Sequence, residues 1–209
     1  MAYCNDEKQA ALLAERVRHA RPPWCVDIVQ AYVSVAVYYD IGMVECADVA
    51  AWIGTHWEDD VISRDAGRLH VIPCCYEFGL DFERISQHTG LLRDAIISLH
   101  GGCSYTIYAI GFCPGFPFLG YLHSKLAGVP RLQSPRLQVE QGSVGLTGRQ
   151  TGVYTEARPG GWNIIGRTPL ILVDVKDEYF PLRTGDRVQF KRIDEREFCE
   201  LKGERLVSR

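Results

Sequence analysis

In YTIYAIGFCPGFPFLGYL, residues 105–122, a β-prone run gives way at Gly111 to a segment punctuated by glycine and proline. Nothing in it keeps the 3.6-residue period of an amphipathic helix. The same texture continues downstream to about residue 193. VGLTG, TGVY, WNIIG, PLILVDV and DRVQFKRI are short strand-like runs separated by turn residues. Short strands at close spacing with many turns predict a barrel or a sandwich. PLILVDV, 169–175, reads as a strong strand directly behind Arg167.

Upstream of this region the pattern is helical. DFERISQHTG and the residues up to 99 read as two short helices broken at Thr89-Gly90, with Asp81 as N-cap and Phe82, Ile85, Leu92, Ile96 and Leu99 facing inward. Residues 6–20 read as an amphipathic helix with Ala10, Leu13, Ala14 and Val17 on one face, capped by Asn5 or Asp6 and stopped by Pro22-Pro23. Residues 25–40 supply two strands with a turn near 30–32. A second helix is predicted around 45–58 and a strand over 61–73, ending at Pro73. Helix, strand, strand, helix, strand is most of a split β-α-β unit. The reading is therefore two domains. Residues 1–68 form a small ferredoxin-like α+β domain whose first strand is lacking or very short. Residues 69–209 form an all-β barrel with short helices.

Composition limits the function classes. The 209 residues are 46% apolar and 23% charged, with a formal net charge of −3. That is ordinary for a globular protein, and it gives no global attraction to nucleic acid or an anionic membrane. The opening MAYCNDEKQA lacks a basic segment followed by an apolar run, so no signal peptide is expected. No stretch reaches the ~18 apolar residues of a membrane span, and a cytoplasmic protein is expected. The eight cysteines, at 4, 25, 46, 74, 75, 103, 113 and 199, contain no CxxC pair. They read as small buried hydrophobes and not as metal ligands.

Three segments carry candidate chemistry. In GFCPGFPFLGYL, 111–122, Phe112, Phe116 and Phe118 need burial or a ligand, and Pro114, Gly115 and Pro117 fix the path. The segment is either a rigid loop packing its own aromatics or the lining of a pocket. PRLQSPR, 130–136, places Arg131 and Arg136 behind prolines, where two planar guanidinium groups could clamp a carboxylate or phosphate. GSVGLTGRQTGVY, 142–154, is not a Walker loop, but Ser143, Thr147, Gln150 and Thr151 offer neutral hydrogen-bonding groups. RPGGWNIIGRTP, 158–169, follows, with Gly160-Gly161 read as a tight turn before Trp162. His100 reads as a helix-terminal histidine stabilising the last carbonyls. Cys113 is a conceivable nucleophile without a partner histidine in sequence.

These motifs recur together in a known family. The order Tyr105, Gly111-Phe112, Pro114 to Gly120, Pro130-Arg131, Pro135-Arg136, Gly142-Ser143-Val144, Gln150 to Tyr154, Pro159 to Trp162 and Gly166 to Pro169 closely resembles the KipI/PxpB family. Members of that family are also called 5-oxoprolinase B subunits, or the first subunit of allophanate hydrolase. The resemblance implies a cyclophilin-like barrel behind the small α+β domain. It implies a heteromeric complex with a homologous barrel subunit of the PxpC/KipA type and a LamB/YcsF-type subunit. The complex would open the ring of 5-oxoproline to L-glutamate with ATP as co-substrate, this chain holding no tightly bound cofactor or metal. The sequence departs from the family at Thr155 and Glu140, where proline is common.

Combining residues and resemblance, the expected substrate-binding set is Arg131, Arg136, Gln150, Thr151 and Arg167. The expected shaping set is Phe112, Pro114, Gly115, Phe116, Pro117, Ser143, Tyr154, Gly160, Gly161 and Trp162. Two other roles stay open at this point: a regulator that inhibits a sensor histidine kinase, and a structural subunit without chemistry of its own in allophanate or urea metabolism.

Overall fold

A computed structural model describes residues 1–56 and 67–207. The chain divides into two compact units, Met1–Asp65 and Ala66–Arg209.

The first unit builds a three-stranded antiparallel sheet in the order β1-β3-β2, from β1 (Ala2–Tyr3), β2 (Cys25–Ala31) and β3 (Ser34–Tyr39). The first strand is present and very short, the second of the two alternatives that the sequence leaves open. It has only two residues, set opposite Val35 and Ser34, too few to show any alternation in sequence. Helix α1 (Glu7–Ala20) begins where the Asp6 side chain accepts a hydrogen bond from the Gln9 N–H at 2.7 Å. It ends at Arg21, which takes a left-handed conformation just before the two prolines. Ala10, Leu13, Ala14 and Val17 form its buried stripe against Val35. Helix α2 (Cys46–Thr55) follows. The expected strand over 61–73 falls partly outside the described residues.

The second unit is a closed seven-stranded barrel. Its strands are β4 (Leu69–Cys75), β5 (Ser104–Ile110), β6 (Pro117–Gly120), β8 (Ser143–Thr147), β9 (Gln150–Val153), β11 (Asn163–Arg167) and β12 (Arg187–Ile193), ordered β11-β4-β12-β5-β6-β9-β8. Closure gives every barrel strand a neighbour on both sides. β4 runs two residues past Pro73, where the sequence reading stopped it. Over most of its length β4 ladders only with β12, because β11 meets it at Cys75 alone. Proline is tolerated on such an edge-like stretch. A separate ribbon pairs β7 (Arg136–Val139) with β10 (Arg158–Gly160).

Helices α3 (Phe82–Thr89) and α4 (Arg93–Gly101) break where the sequence placed the break, Gly90 taking the left-handed cap. Helix α5 (Glu195–Glu200) closes the described secondary structure. PLILVDV does not form the expected strand. Leu170 and Leu172 are buried in the core, but the segment has no ladder neighbour, only isolated bridges at Ile171 and Asp174. The run is apolar because Leu170 and Leu172 join the buried core, not because it pairs in a ladder. Ile72, Tyr76, Ile96, Tyr105, Ile107, Leu119, Leu146 and Phe190 lead the core. Among the described residues no helix is long and apolar enough to cross a membrane.

Candidate functional site

The aromatic residues of the 111–122 loop gather with those of β9 to β11 on one side of the barrel. A second apolar cluster forms there, separate from the main core, from Cys113, Phe116, Val139, Tyr154, Trp162 and Ile164 with Phe118 against it. Phe116 is its hub. Its ring meets Phe112, Tyr154 and Trp162 edge-to-face at 5.4, 5.3 and 5.4 Å, and Phe118 at 5.0 Å. Edge-to-face packing suits the ring quadrupoles and holds each ring in one orientation. Phe112 adopts φ +70°, a conformation unfavourable for a side chain with a Cβ. The loop holds it there through hydrogen bonds from Gly111 N–H to Phe116 O and from Phe116 N–H to Cys113 O, both 3.1 Å.

These rings wall a cavity of about 300 Å³, completed by Arg131, Pro135, Pro159, Gly160 and Gly161. Phe112 stands at its mouth with 63% of its surface exposed. Gly160 is needed for room, not for a turn. It lies in β10, and a Cβ there would sit 2.3 Å from the Tyr154 phenol oxygen. This corrects the reading of Gly160-Gly161 as a tight turn. Tyr154 is buried, and burial pushes its phenol upward. A hydrogen bond from the Trp162 backbone and the charges of Arg131 and Arg136 pull the other way, less strongly. The phenol therefore keeps its proton at neutral pH and remains a donor.

The two arginines of PRLQSPR take different roles. Arg136 donates to Asp81 Oδ1 at 2.7 Å, and Asp81 Oδ2 accepts the Ile164 backbone N–H at 2.6 Å. Asp81, expected to cap α3, makes no side-chain cap bond, because both of its oxygens are committed to this bridge. The Arg131 guanidinium makes no hydrogen bond or ion pair to the described residues, and its backbone is held on both flanks. Asn163 Nδ2 donates to the Pro130 carbonyl at 3.0 Å, Arg84 donates to the Arg131 carbonyl at 3.2 Å, and the Leu132 N–H donates to Gly161 O at 2.8 Å. Arg84 also reaches Asn163 Oδ1 at 3.0 Å.

The expected site residues therefore separate. Phe112, Phe116, Arg131, Tyr154, Gly160, Gly161 and Trp162 come together around the cavity. The others do not line it. Thr151 is buried in the barrel, donating to Gly145 O and accepting from His100. Ser143 is buried on β8, and Gln150 begins the facing strand β9. Arg167 donates to Gln141 O. Pro117 starts β6, and Pro114 O accepts from Thr155 Oγ1 at 2.7 Å. Gly115 takes φ +68° with Val173 packed where a Cβ would go.

His100 is no helix-end ligand for carbonyls. It is fully buried, with Nδ1 2.8 Å from Tyr76 Oη and Nε2 2.9 Å from Thr151 Oγ1. Since Thr151 Oγ1 donates to Gly145 O, Nε2 carries the imidazole proton and Nδ1 accepts from Tyr76. Burial lowers His100 to a pKa of about 3. Cys113 lies 3.4 Å from Thr155 Oγ1, and burial raises its thiol, the opposite of an activated nucleophile. Cys74, Cys75 and Cys113 are buried, but Cys46 and Cys199 are exposed, which corrects the reading of all eight cysteines as buried hydrophobes. Among the described residues no three His, Cys, Asp or Glu side chains form a metal ligand set. Sequence reasoning missed Asp81, Arg84 and Asn163 as parts of the site. Two of them lie on or beside α3, some fifty residues before the loop they hold, and no local pattern marks such a reach.

The family model described as carboxyltransferase domain, subdomain C and D, matches residues 3–182. The chain is 37% identical over 199 residues to the 5-oxoprolinase B subunit of Bacillus subtilis (strain 168), covering 87% of this chain and 81% of that one. It is 43% identical over 137 residues to the 5-oxoprolinase B subunit of Escherichia coli O157:H7, covering 64% of this chain and 62% of that one. The crystal structure of TTHA0988 superposes with a TM-score of 0.78 at 32% identity, covering 93% of this chain but 38% of that longer one. The chain belongs to the KipI/PxpB family, that of the 5-oxoprolinase B subunits.

Proposed function

We propose that the chain is a subunit of an ATP-dependent amidohydrolase complex that opens the ring of 5-oxoproline to give L-glutamate. Its partners would be a homologous barrel subunit of the PxpC/KipA type and a LamB/YcsF-type subunit, with ATP as co-substrate of the whole. On the same reading the first unit is ferredoxin-like and the barrel cyclophilin-like. The observation that carries the proposal is the match to the Bacillus subtilis 5-oxoprolinase B subunit along most of both chains. The cavity is consistent with it, being concave, largely apolar and furnished with few polar groups.

Ring opening adds water across the lactam C–N bond, and cleavage of the ATP phosphoanhydride drives it. The test is to mix this chain with the two partner subunits and follow glutamate release and 5-oxoproline-dependent ATP hydrolysis. Glutamate from the complete mixture, but not from any pair, is the expected result. A complete mixture that releases none would refute the proposed reaction.

A further inference from the structure

We propose that the cavity beside Arg131 binds the small ring acid itself, through this subunit alone, and that the nucleotide is bound elsewhere in the complex. This rests on the reading given above and adds a place and a division of labour to it.

Size and charge argue first. A cavity of about 300 Å³ is at the low end for ligand pockets. Among its lining residues a single cation, Arg131, faces aromatic rings and prolines. One guanidinium is the complement of one carboxylate. A triphosphate requires a cradle of backbone N–H groups or several cations, and the lining offers neither a helix N-terminus nor a second basic side chain.

Preorganisation argues next. Asn163, Arg84 and Gly161 tether the backbone of residues 130–132, while the Arg131 guanidinium has no partner among the described residues. A fixed backbone with a free charged head is how a rigid anion anchor is built. Its neighbour Arg136 pairs with Asp81 through Nη2, while its buried Nη1 has no partner among the described residues. Arg136 does not line the cavity, so the lining presents one positive group and not a clamp of two.

The geometry of the ligand follows. The edge-to-face walls of Phe116, Tyr154 and Trp162 suit a flat ring. The Tyr154 phenol keeps its proton and can donate to a carbonyl on that ring. A compact ring with a carboxylate on one side and an amide carbonyl on the other satisfies both groups together. The chemical class is thus a cyclic amide carboxylic acid.

The experiment is a calorimetric titration of the full chain with 5-oxoproline, with pyrrolidinone (the same lactam without the carboxylate) and with MgATP. The chain should bind 5-oxoproline, bind pyrrolidinone about tenfold or more weakly, and show no displacement of 5-oxoproline by MgATP. Arg131→Gln should weaken 5-oxoproline by about tenfold or more without changing the unfolding midpoint, because Arg131 lies on the surface. Trp162→Phe should weaken the ring acid and pyrrolidinone alike. In the reconstituted complex Arg131→Gln should raise KM for 5-oxoproline, leaving KM for ATP as it was.

Equal 5-oxoproline affinity in wild type and Arg131→Gln, equal binding of pyrrolidinone, competition by MgATP, or no binding by the chain alone each overturns the assignment. If the complex releases no glutamate while the chain still binds the ring acid through Arg131, the proposed reaction fails and the site stands. If the complex is active and Arg131→Gln leaves KM unchanged, the site fails and the reaction stands.

Discussion

Asp81 receives two donors, one on each carboxylate oxygen: the Arg136 guanidinium and the Ile164 backbone N–H. Neither donor has water as a ready substitute, since Asp81 is buried and Arg136 keeps only 27% of its side chain exposed. Asp81→Ala should therefore cost about 3 kcal/mol of unfolding free energy, the low end for breaking a buried pair. Urea titration reads it, and a loss under about 1 kcal/mol would mean the bridge is an ordinary surface pair.

His100 makes a different kind of demand. In the unfolded chain an imidazole takes a proton below about pH 6.5, but in the fold burial delays this to about 3. Between those values the unfolded state binds more protons, so acid destabilises the fold. The contribution of His100 is fully present above pH 6.5 and is lost as pH falls toward 3, at up to ~1.4 kcal/mol per pH unit. His100→Gln should lower stability at pH 7, where it disturbs the bonds to Tyr76 and Thr151. It should also flatten the fall between pH 7 and pH 5. An unchanged slope would assign the acid sensitivity to other groups.

At the scale of elements, α3 and its cap act as a brace for the arginine segment. Asp81 at its start holds Arg136 on β7, and Arg84 one turn along reaches Pro130, Arg131 and Asn163. Arg84→Met keeps the aliphatic stem and removes the donors. It should reduce 5-oxoproline binding about fivefold while shifting the thermal midpoint little, because the Arg84 head group is partly exposed. Strand β10 lines the same cavity through Pro159 and Gly160. Gly160→Ala would drive a methyl into the Tyr154 ring, so it should abolish ring-acid binding and cost about 1–3 kcal/mol. Ligand titration beside a melting curve separates the two effects, and a Gly160→Ala protein that binds normally would show that Tyr154 does not shape the cavity.

These elements also show what the sequence could and could not disclose. The stripe on α1, the break at Gly90 and the strand runs of the barrel are periodic or punctuated locally, and local patterns suffice to find them. β1 was hidden because two residues have no period. PLILVDV misleads because an apolar run records burial, which an unpaired core segment and a strand share. The aromatics of 111–122 and Arg131 were legible as site material. The commitment of Arg136 to Asp81 was not, since that contact spans 55 residues. Thr151 and Ser143 looked like ligand groups in a Gly/Ser/Thr-rich stretch, yet their strands turn them inward, where Thr151 satisfies His100 and Gly145.

For the whole molecule, the two compact units carry unequal burdens. A domain of ~60 residues buries about 60% of the surface of its unfolded chain, and one of ~150 residues about 70%, so the first unit is the more marginal of the two. The barrel closes on itself and has its own core. Every residue lining the cavity lies between Phe112 and Trp162, wholly inside the second unit. The tethers Asp81, Arg84 and Asn163 lie there as well. We therefore predict that residues 66–209, expressed alone, unfold in one cooperative transition and bind 5-oxoproline within about threefold of the full chain. Calorimetric melting and the same ligand titration check both halves of the prediction. A fragment that melts cooperatively yet fails to bind would place an essential part of the site in the first unit. A fragment without a transition would show that the barrel needs the N-terminal sheet to fold.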